Sequence, residues 1–280
     1  MKANGLDFHV ETGGRGSPLV LVHGFTGSVR SWDGVWPALS ARANLVALDV
    51  IGHGRSAAPA EPERYTFDGF VRDLEAILDT LGHARADVLG YSMGGRLALY
   101  FAVQRPQRVR RLILESASPG IADPDERERR RAADAGLAQR ILQDGIPAFV
   151  ADWERQPLLA AGPRVSEAVK AAQHAQRLDN RALGLANSLR GMGAGQQPPV
   201  WARLNELDLP VWLIVGALDA RYVAVAQHMR QRLPRAEVAV VSAAGHTVHI
   251  DRPDEFTRLV RQALCWPLQE IDTRRDTLLY

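Results

Sequence analysis

Gly90-Tyr91-Ser92-Met93-Gly94 sets a serine between glycines, directly after the apolar run Val88-Leu89 and directly before the helical run Arg96-Leu97-Ala98-Leu99-Tyr100-Phe101-Ala102. A G-x-S-x-G turn between strand and helix is a nucleophile elbow: a sharp, strained bend lifts the serine Oγ clear of the sheet, and only glycines escape a clash on either side. Ser92 is therefore the first candidate for a reacting centre. Five residues alone also fit a Gly-rich packing turn, so the rest of the chain has to decide.

Outward from the elbow, short apolar runs alternate with longer periodic segments. Leu19-Val20-Leu21-Val22 precedes a predicted helix from about Ser31 to Ala41, and Leu45-Val46-Ala47-Leu48 precedes one from about Phe67 to Leu81. The elbow strand Asp87-Val88-Leu89 and the strand Leu112-Ile113-Leu114 continue the pattern. Such alternation predicts an α/β fold with a mostly parallel sheet covered by helices on both faces. Between about 119 and 199 no convincing strand occurs and arginine and alanine dominate, which predicts an inserted all-helical lid. The α/β pattern resumes with Val211-Trp212-Leu213-Ile214-Val215, a helix from about Val223 to Leu233, the strand Glu237-Val238-Ala239-Val240-Val241, and a final helix near Pro253. Residues 1–118 and 200–265 are thus expected to build one core, and 266–280 to form a tail without a readable signal.

Composition narrows the class. A 280-residue chain with ordinary apolar content can bury a substantial core, and a net charge of +2 is too small to make nucleic acid the main partner. No stretch approaches the roughly 18 apolar residues of a membrane span, and Met1 to Gly14 carries no targeting pattern, so a cytoplasmic protein without membrane insertion is expected. The lone cysteine, Cys265, excludes an intrachain disulfide and is expected to pack near the C-terminus. No metal or cofactor is expected, and oligomeric state is not legible.

A serine needs a base, and the base needs an orienting group. After the strand ending at Val215 comes Gly216-Ala217-Leu218-Asp219, and after the strand ending at Val241 comes Ser242-Ala243-Ala244-Gly245-His246. Sites in parallel sheets form outside the carboxyl ends of strands, so Ser92, Asp219 and His246 should converge there. Asp219 also suits a helix N-cap, Glu115 is a rival acid at another strand end, and His249 is expected to support the loop. His23-Gly24-Phe25-Thr26-Gly27 follows the first strong strand; the amides of Phe25 and Met93 are the expected oxyanion hole. The second glycine-rich turn, Asp49 to Ser56 with His53, reads as structural.

Two arginine features exceed what ester cleavage requires. Arg96 lies in the first turns of the elbow helix, and Arg127, Arg130 and Arg131 share one face of the segment Glu126 to Asp134 at helical spacing. Such a run is commonly a solvated, salt-bridged face. Beside Arg96 it also suits bidentate capture of carboxylates.

The order Ser, Asp, His resembles that of the α/β hydrolases. From about Leu19 to Val260 the chain further resembles the 2-succinyl-6-hydroxy-2,4-cyclohexadiene-1-carboxylate synthases of menaquinone biosynthesis. The resemblance rests on His23 to Ser28, Gly90 to Arg96, Ser118-Pro119-Gly120, Asp152-Trp153-Glu154 and Gly184 to Gly193. It implies a lyase that removes a ring proton from an enolpyruvyl cyclohexene polycarboxylate and expels pyruvate. It also implies that Ser92, polarised by His246 and Asp219, is the base, that Arg96, Arg130 and Arg177 hold carboxylates, and that Tyr91 and Trp153 line the pocket. Ile51 stands where the family commonly has proline, and Asp251, one step beyond Ile250, replaces the family's glutamate after the second histidine. A serine hydrolase of esters or of carbon–carbon bonds in vinylogous diketones is the competing enzyme reading. A catalytically silent binding protein is disfavoured by the complete triad.

Overall fold

The computed structural model describes residues 1–156, 158, 162 and 164–268, so most of the expected tail, 269–280, lies outside the described residues. Seven strands form the main sheet: β3 (Val10–Gly13), β4 (Pro18–Val22), β5 (Asn44–Leu48), β6 (Ala86–Tyr91), β7 (Val109–Glu115), β8 (Val211–Gly216) and β9 (Ala236–Val241), in the order β3-β5-β4-β6-β7-β8-β9. A small hairpin of β1 (Lys2–Ala3) and β2 (Leu6–Asp7) precedes them. Every pairing in the main sheet is parallel except the edge pair β3 and β5. That antiparallel edge strand has no sequence signature, because Val10-Glu11-Thr12-Gly13 offers only one large apolar residue.

The strands of the sheet centre are apolar at successive positions because both faces are covered. Leu19 and Leu21 enter the cluster that includes Trp32, Leu39, Phe256 and Val260, whereas Val20 and Val22 enter the one that includes Phe70, Leu74, Leu97 and Phe101. Helix α2 (Phe67–Thr80) buries Phe67, Phe70, Val71, Leu74, Ile77 and Leu78, a helical stripe, and Thr66 caps it by accepting the Gly69 N–H at 2.9 Å. Helix α3 (Met93–Gln104) is buried around nearly its whole circumference, as expected of a helix enclosed by a sheet and its neighbours. Helices α7 (Ala220–Arg230), α8 (Val248–Asp251) and α9 (Pro253–Cys265) complete the α/β part. Among the described residues no helix is long and apolar enough to cross a membrane.

Some expectations are corrected. The helix expected over Ser31 to Ala41 is instead a 3-10 turn, Val29–Trp32, and a short helix α1 (Trp36–Ser40), separated by Asp33 and Gly34 and restarted at Pro37. The helix expected over Val223 to Leu233 starts earlier, because Asp219 caps it and Ala220 opens it. Cys265 is exposed rather than packed: α9 turns Phe256, Leu259, Val260 and Ala263 inward, and position 265 falls off that stripe.

Between β7 and β8 the chain forms α4 (Pro124–Trp153), α5 (Glu167–Leu178) and α6 (Ala182–Met192). The α4 segment is two helical stretches meeting at Gly145, whose φ of 79° no other residue type adopts easily, with Pro147 just beyond. Ala138, Ile141, Phe149, Val150, Leu185, Ala186 and Leu189 give this insertion an apolar cluster of its own.

The two glycine-rich turns are held by buried histidines. Because His23 Nε2 accepts the Val50 N–H at 3.0 Å, its proton resides on Nδ1 and is donated to the Gly24 carbonyl at 2.8 Å. His53, also inaccessible, has its pKa lowered from 6.5 to about 3, by burial first and by the neighbouring His23 second. Between those two values the unfolded chain holds a proton that the folded chain does not, so acidification through that window removes stability. For His53 alone the loss between pH 7 and pH 4 is about 3 kcal/mol. Urea unfolding of the wild type and His53→Leu at pH 7, 5 and 4 measures it. The variant should lose markedly less stability on acidification, and identical pH slopes would refute the assignment.

Candidate active site

The strand order reverses between β4 and β6, since the chain runs from β4 outward to β5 and returns to the other side for β6. A crevice opens at such a switch point, beyond the carboxyl ends of the strands. Val22 pairs with Gly90, so the turn after β4, carrying Phe25, and the elbow after β6, carrying Ser92, begin side by side. Tyr91 pairs with Glu115, and Gly216 with Val241, which brings the loops after β7, β8 and β9 to the same rim.

Ser92 has φ 51° and ψ −109°, a conformation costly for any residue with a Cβ. It is held there by packing. A Cβ on Gly90 would strike the Gly94 carbonyl, and one on Gly94 would strike the carbonyls of Val22 and His23. The Ser92 N–H donates to the Glu115 carbonyl at 2.8 Å.

The structure brings the three residues read from separate loops into one chain of hydrogen bonds. Asp219 Oδ2 lies 2.7 Å from His246 Nδ1, and His246 Nε2 lies 2.9 Å from Ser92 Oγ. A carboxylate only accepts, so Nδ1 carries the proton and Nε2 is left to accept from the serine hydroxyl. Asp219 and His246 are both buried. The helix-cap reading of Asp219 holds at the same time, because its other oxygen, Oδ1, accepts the Tyr222 N–H at 3.2 Å. The rings of Tyr222 and Tyr91 pack against His246 with centroids 4.7 and 5.6 Å away. Among the described residues neither the Phe25 nor the Met93 N–H has a protein acceptor, so both remain available to an oxyanion.

A cavity beside the elbow is lined by Phe25, Thr26, Tyr91, Trp153, Arg177 and Thr247, among others. Tyr91 donates to or accepts from Thr247 Oγ1 at 2.7 Å, and burial pushes its phenol pKa up. Trp153 sets its ring edge-on to Phe25, centroids 5.4 Å apart.

The arginines divide into two kinds. Arg96 is buried, its guanidinium donates to the Met192 carbonyl at 3.1 Å, and no carboxylate among the described residues lies within ion-pair distance. Burial is the main reason its pKa falls to about 10; Tyr222 and Asp134 work the other way, and nearby Arg130 adds to the fall. A cation one turn into a helix also faces the positive end of the helix dipole. The flanking arginines are anchored by acids: Arg130 to Asp134 at 2.7 Å and Arg177 to Glu154 at 2.7 Å. Burial tends to raise the Glu154 carboxyl, but hydrogen bonds from Arg177 and His174 outweigh it and hold the group below its ordinary range. Of the other two arginines on the α4 face, Arg127 donates to the Ile121 carbonyl at 3.1 Å and Arg131 pairs with Glu128. Of the three, Arg130 is the one whose charge bears on Arg96.

Sequence reasoning missed Asn180. Its amide donates to the Thr26 carbonyl at 2.9 Å while its oxygen accepts the Gly54 N–H at 3.2 Å, tying the end of α5 to both glycine-rich turns. With partners 126 and 154 residues away, it left no local pattern to read.

A family model described as the alpha/beta hydrolase fold matches residues 17–253. A 2-succinyl-6-hydroxy-2,4-cyclohexadiene-1-carboxylate synthase of Klebsiella pneumoniae (strain ATCC 700721 / MGH 78578) is 32% identical over 91% of this chain and 97% of its own. A Bacillus subtilis (strain 168) protein that bears the same name provisionally is 43% identical over 88% of this chain and 89% of its own. The solved structure of MenH from S. aureus superposes with a TM-score of 0.87 at 31% identity, covering 92% of this chain and 97% of that one. An enol-lactonase from Burkholderia xenovorans LB400, at 24% identity and a TM-score of 0.79, shares the fold. The chain belongs to the alpha/beta hydrolase fold family and, within it, to the group of the 2-succinyl-6-hydroxy-2,4-cyclohexadiene-1-carboxylate synthases.

Proposed function

We propose that this protein is a carbon–oxygen lyase that converts 2-succinyl-5-enolpyruvyl-6-hydroxy-3-cyclohexene-1-carboxylate to 2-succinyl-6-hydroxy-2,4-cyclohexadiene-1-carboxylate and pyruvate, a step of menaquinone biosynthesis. The observation that carries the reading is a Ser-His-Asp chain one helical turn from a buried guanidinium that lacks a carboxylate partner among the described residues. An ester hydrolase has no use for that cation. A substrate with three carboxylates does, because a planar guanidinium binds a carboxylate bidentately and regains the charge pairing that burial denied it.

In this reading Ser92 Oγ, its proton drawn toward His246, abstracts the ring proton. Asp219 keeps Nδ1 protonated and stabilises the imidazolium that forms. The electron pair left on C2 forms the C2–C3 double bond, the pair of the C3–C4 double bond moves to C4–C5, and the carbon–oxygen bond from C5 to the enolpyruvyl group breaks. That group departs as the enolate of pyruvate and is protonated on carbon. Negative charge that gathers on a carbonyl oxygen of the substrate during proton loss falls to the Phe25 and Met93 amides. Arg96 takes one carboxylate without competition. Arg130 and Arg177 are preset by Asp134 and Glu154 and add charge at the rim. Tyr91 and Trp153 shape the apolar wall, and residues 119–199 act as the lid over the core built from 1–118 and 200–265.

Purified protein should release pyruvate from the enolpyruvyl substrate, followed with lactate dehydrogenase and NADH, and Ser92→Ala should lower kcat by about 10³-fold or more. Rapid turnover of p-nitrophenyl esters without pyruvate release would replace the lyase reading by an esterase one. Arg96→Met separates function from stability. Losing the carboxylate contact should cost about 10²-fold or more in kcat/KM, while removing an unpaired buried cation should raise unfolding stability by about 1–2 kcal/mol. Both are read on one preparation, by steady-state kinetics and denaturant titration; a variant that is active and less stable contradicts the proposed role.

A further inference from the structure

We infer that Glu115 and His249 form a buried anchor that sets the distance between Ser92 and His246, so that Glu115 is a positioning residue for the reaction rather than a spare acid. The inference rests on the triad reading given above.

Glu115 closes β7 and makes two kinds of attachment. Its main-chain carbonyl accepts the Ser92 N–H at 2.8 Å. Its carboxylate accepts the His249 main-chain N–H at 3.0 Å and lies 2.9 and 2.7 Å from His249 Nδ1 through its two oxygens. One residue thus holds the backbone of the elbow and, across the sheet rim, the first turn of the short helix that follows His246. The Glu115 side chain is completely inaccessible, and the rings of Trp32, Tyr91 and Phe256 enclose His249 with centroids 4.9, 4.9 and 5.7 Å away.

The loop bearing His246 is tied elsewhere as well, by Asp219 on the His246 ring at 2.7 Å, the Leu218 N–H on the Ala244 carbonyl at 3.0 Å, Arg252 on the Ser242 carbonyl at 2.9 Å, the Gly245 N–H on Asp251 Oδ2 at 2.7 Å and Thr247 on the Tyr91 hydroxyl at 2.7 Å. Among these, the Glu115 attachment joins the stretch just after His246 to the residue whose carbonyl holds the Ser92 N–H. Tyr91 precedes Ser92 and packs between His246 and His249, so a shift of His249 is passed to both partners of the reacting pair. A carboxylate and imidazole sealed in an apolar shell contribute little net stability compared with well-packed apolar residues, because the desolvation they suffer offsets their attraction. What the pair supplies is a directed connection of fixed length. A misplacement of about 1 Å at a reacting hydrogen bond can cost about 10² in rate.

Asparagine can place an amide N–H where Nδ1 stands but cannot exchange a proton at neutral pH, and this separates anchoring from chemistry by His249 itself. In the pyruvate-release assay, His249→Ala should lower kcat by about 10²-fold, with KM within about twofold of wild type. His249→Asn should return kcat to within about fivefold of wild type, in proportion to the restored hydrogen bond. Wild-type kcat in His249→Ala, a loss confined to KM, or an asparagine variant as slow as the alanine variant would each overturn the anchor. If His249→Ala fails to fold, Glu115→Gln, which sets an amide N–H in place of one of the two oxygens facing Nδ1, should lower kcat by about tenfold at constant KM, and unchanged kcat there overturns the proposal. If wild-type protein releases no pyruvate, the proposed function falls and the anchor is read from crystals of these variants. The Ser92 Oγ to His246 Nε2 separation should then exceed about 3.5 Å, and retention of the wild-type bond refutes it.

Discussion

The close approach of α3 to the ends of β4 and β6 is the constraint on which the rest of the structure depends. Gly90 and Gly94 have no room for a Cβ, and their contact forces Ser92 into a backbone conformation that would otherwise be avoided. Because β4 and β6 are neighbours, the same contact places the N-terminus of α3 beside the turn that bears Phe25. The elbow strain, the two amides without a protein acceptor among the described residues and the orientation of Ser92 Oγ toward His246 are consequences of that one packing decision.

Charge is the second organising element. The fold treats the three arginines of the proposed carboxylate contacts unequally. Arg130 and Arg177 are paired with Asp134 and Glu154, which fixes their direction at modest energetic consequence. Arg96 is buried at the unfavourable end of a helix, and among the described residues its partner is a main-chain carbonyl. Stability alone would not select it, which is why it points to an anionic ligand more strongly than the exposed arginines of α4.

The inserted helices are joined to the chemistry by specific bonds. Asn180 binds the Thr26 carbonyl and the Gly54 N–H, and Gln176 donates to Ser31 Oγ at 2.7 Å, so α5 braces the turn that presents the Phe25 amide. Arg177 lies between these two residues in the chain, in the last turn of α5, and lines the cavity. The helix that brings Arg177 to the cavity and the turn that presents the Phe25 amide are thereby parts of one connected unit.

By itself the sequence determined the α/β-hydrolase architecture and the chain positions from which Ser92, Asp219 and His246 project. Doubly covered strands must be apolar throughout, and strand ends carry their glycines and polar residues in local patterns. The antiparallel edge strand, the broken helix before β5 and the exposed Cys265 were not legible, because each depends on small differences in what a short segment can pack against. Only the tertiary structure decided that Asp219 serves as helix cap and imidazole partner at once, and that the charge of Arg130 bears on Arg96. It alone joined Glu115 to His249. Those outcomes depend on distances between residues far apart in the chain, which local propensity does not encode.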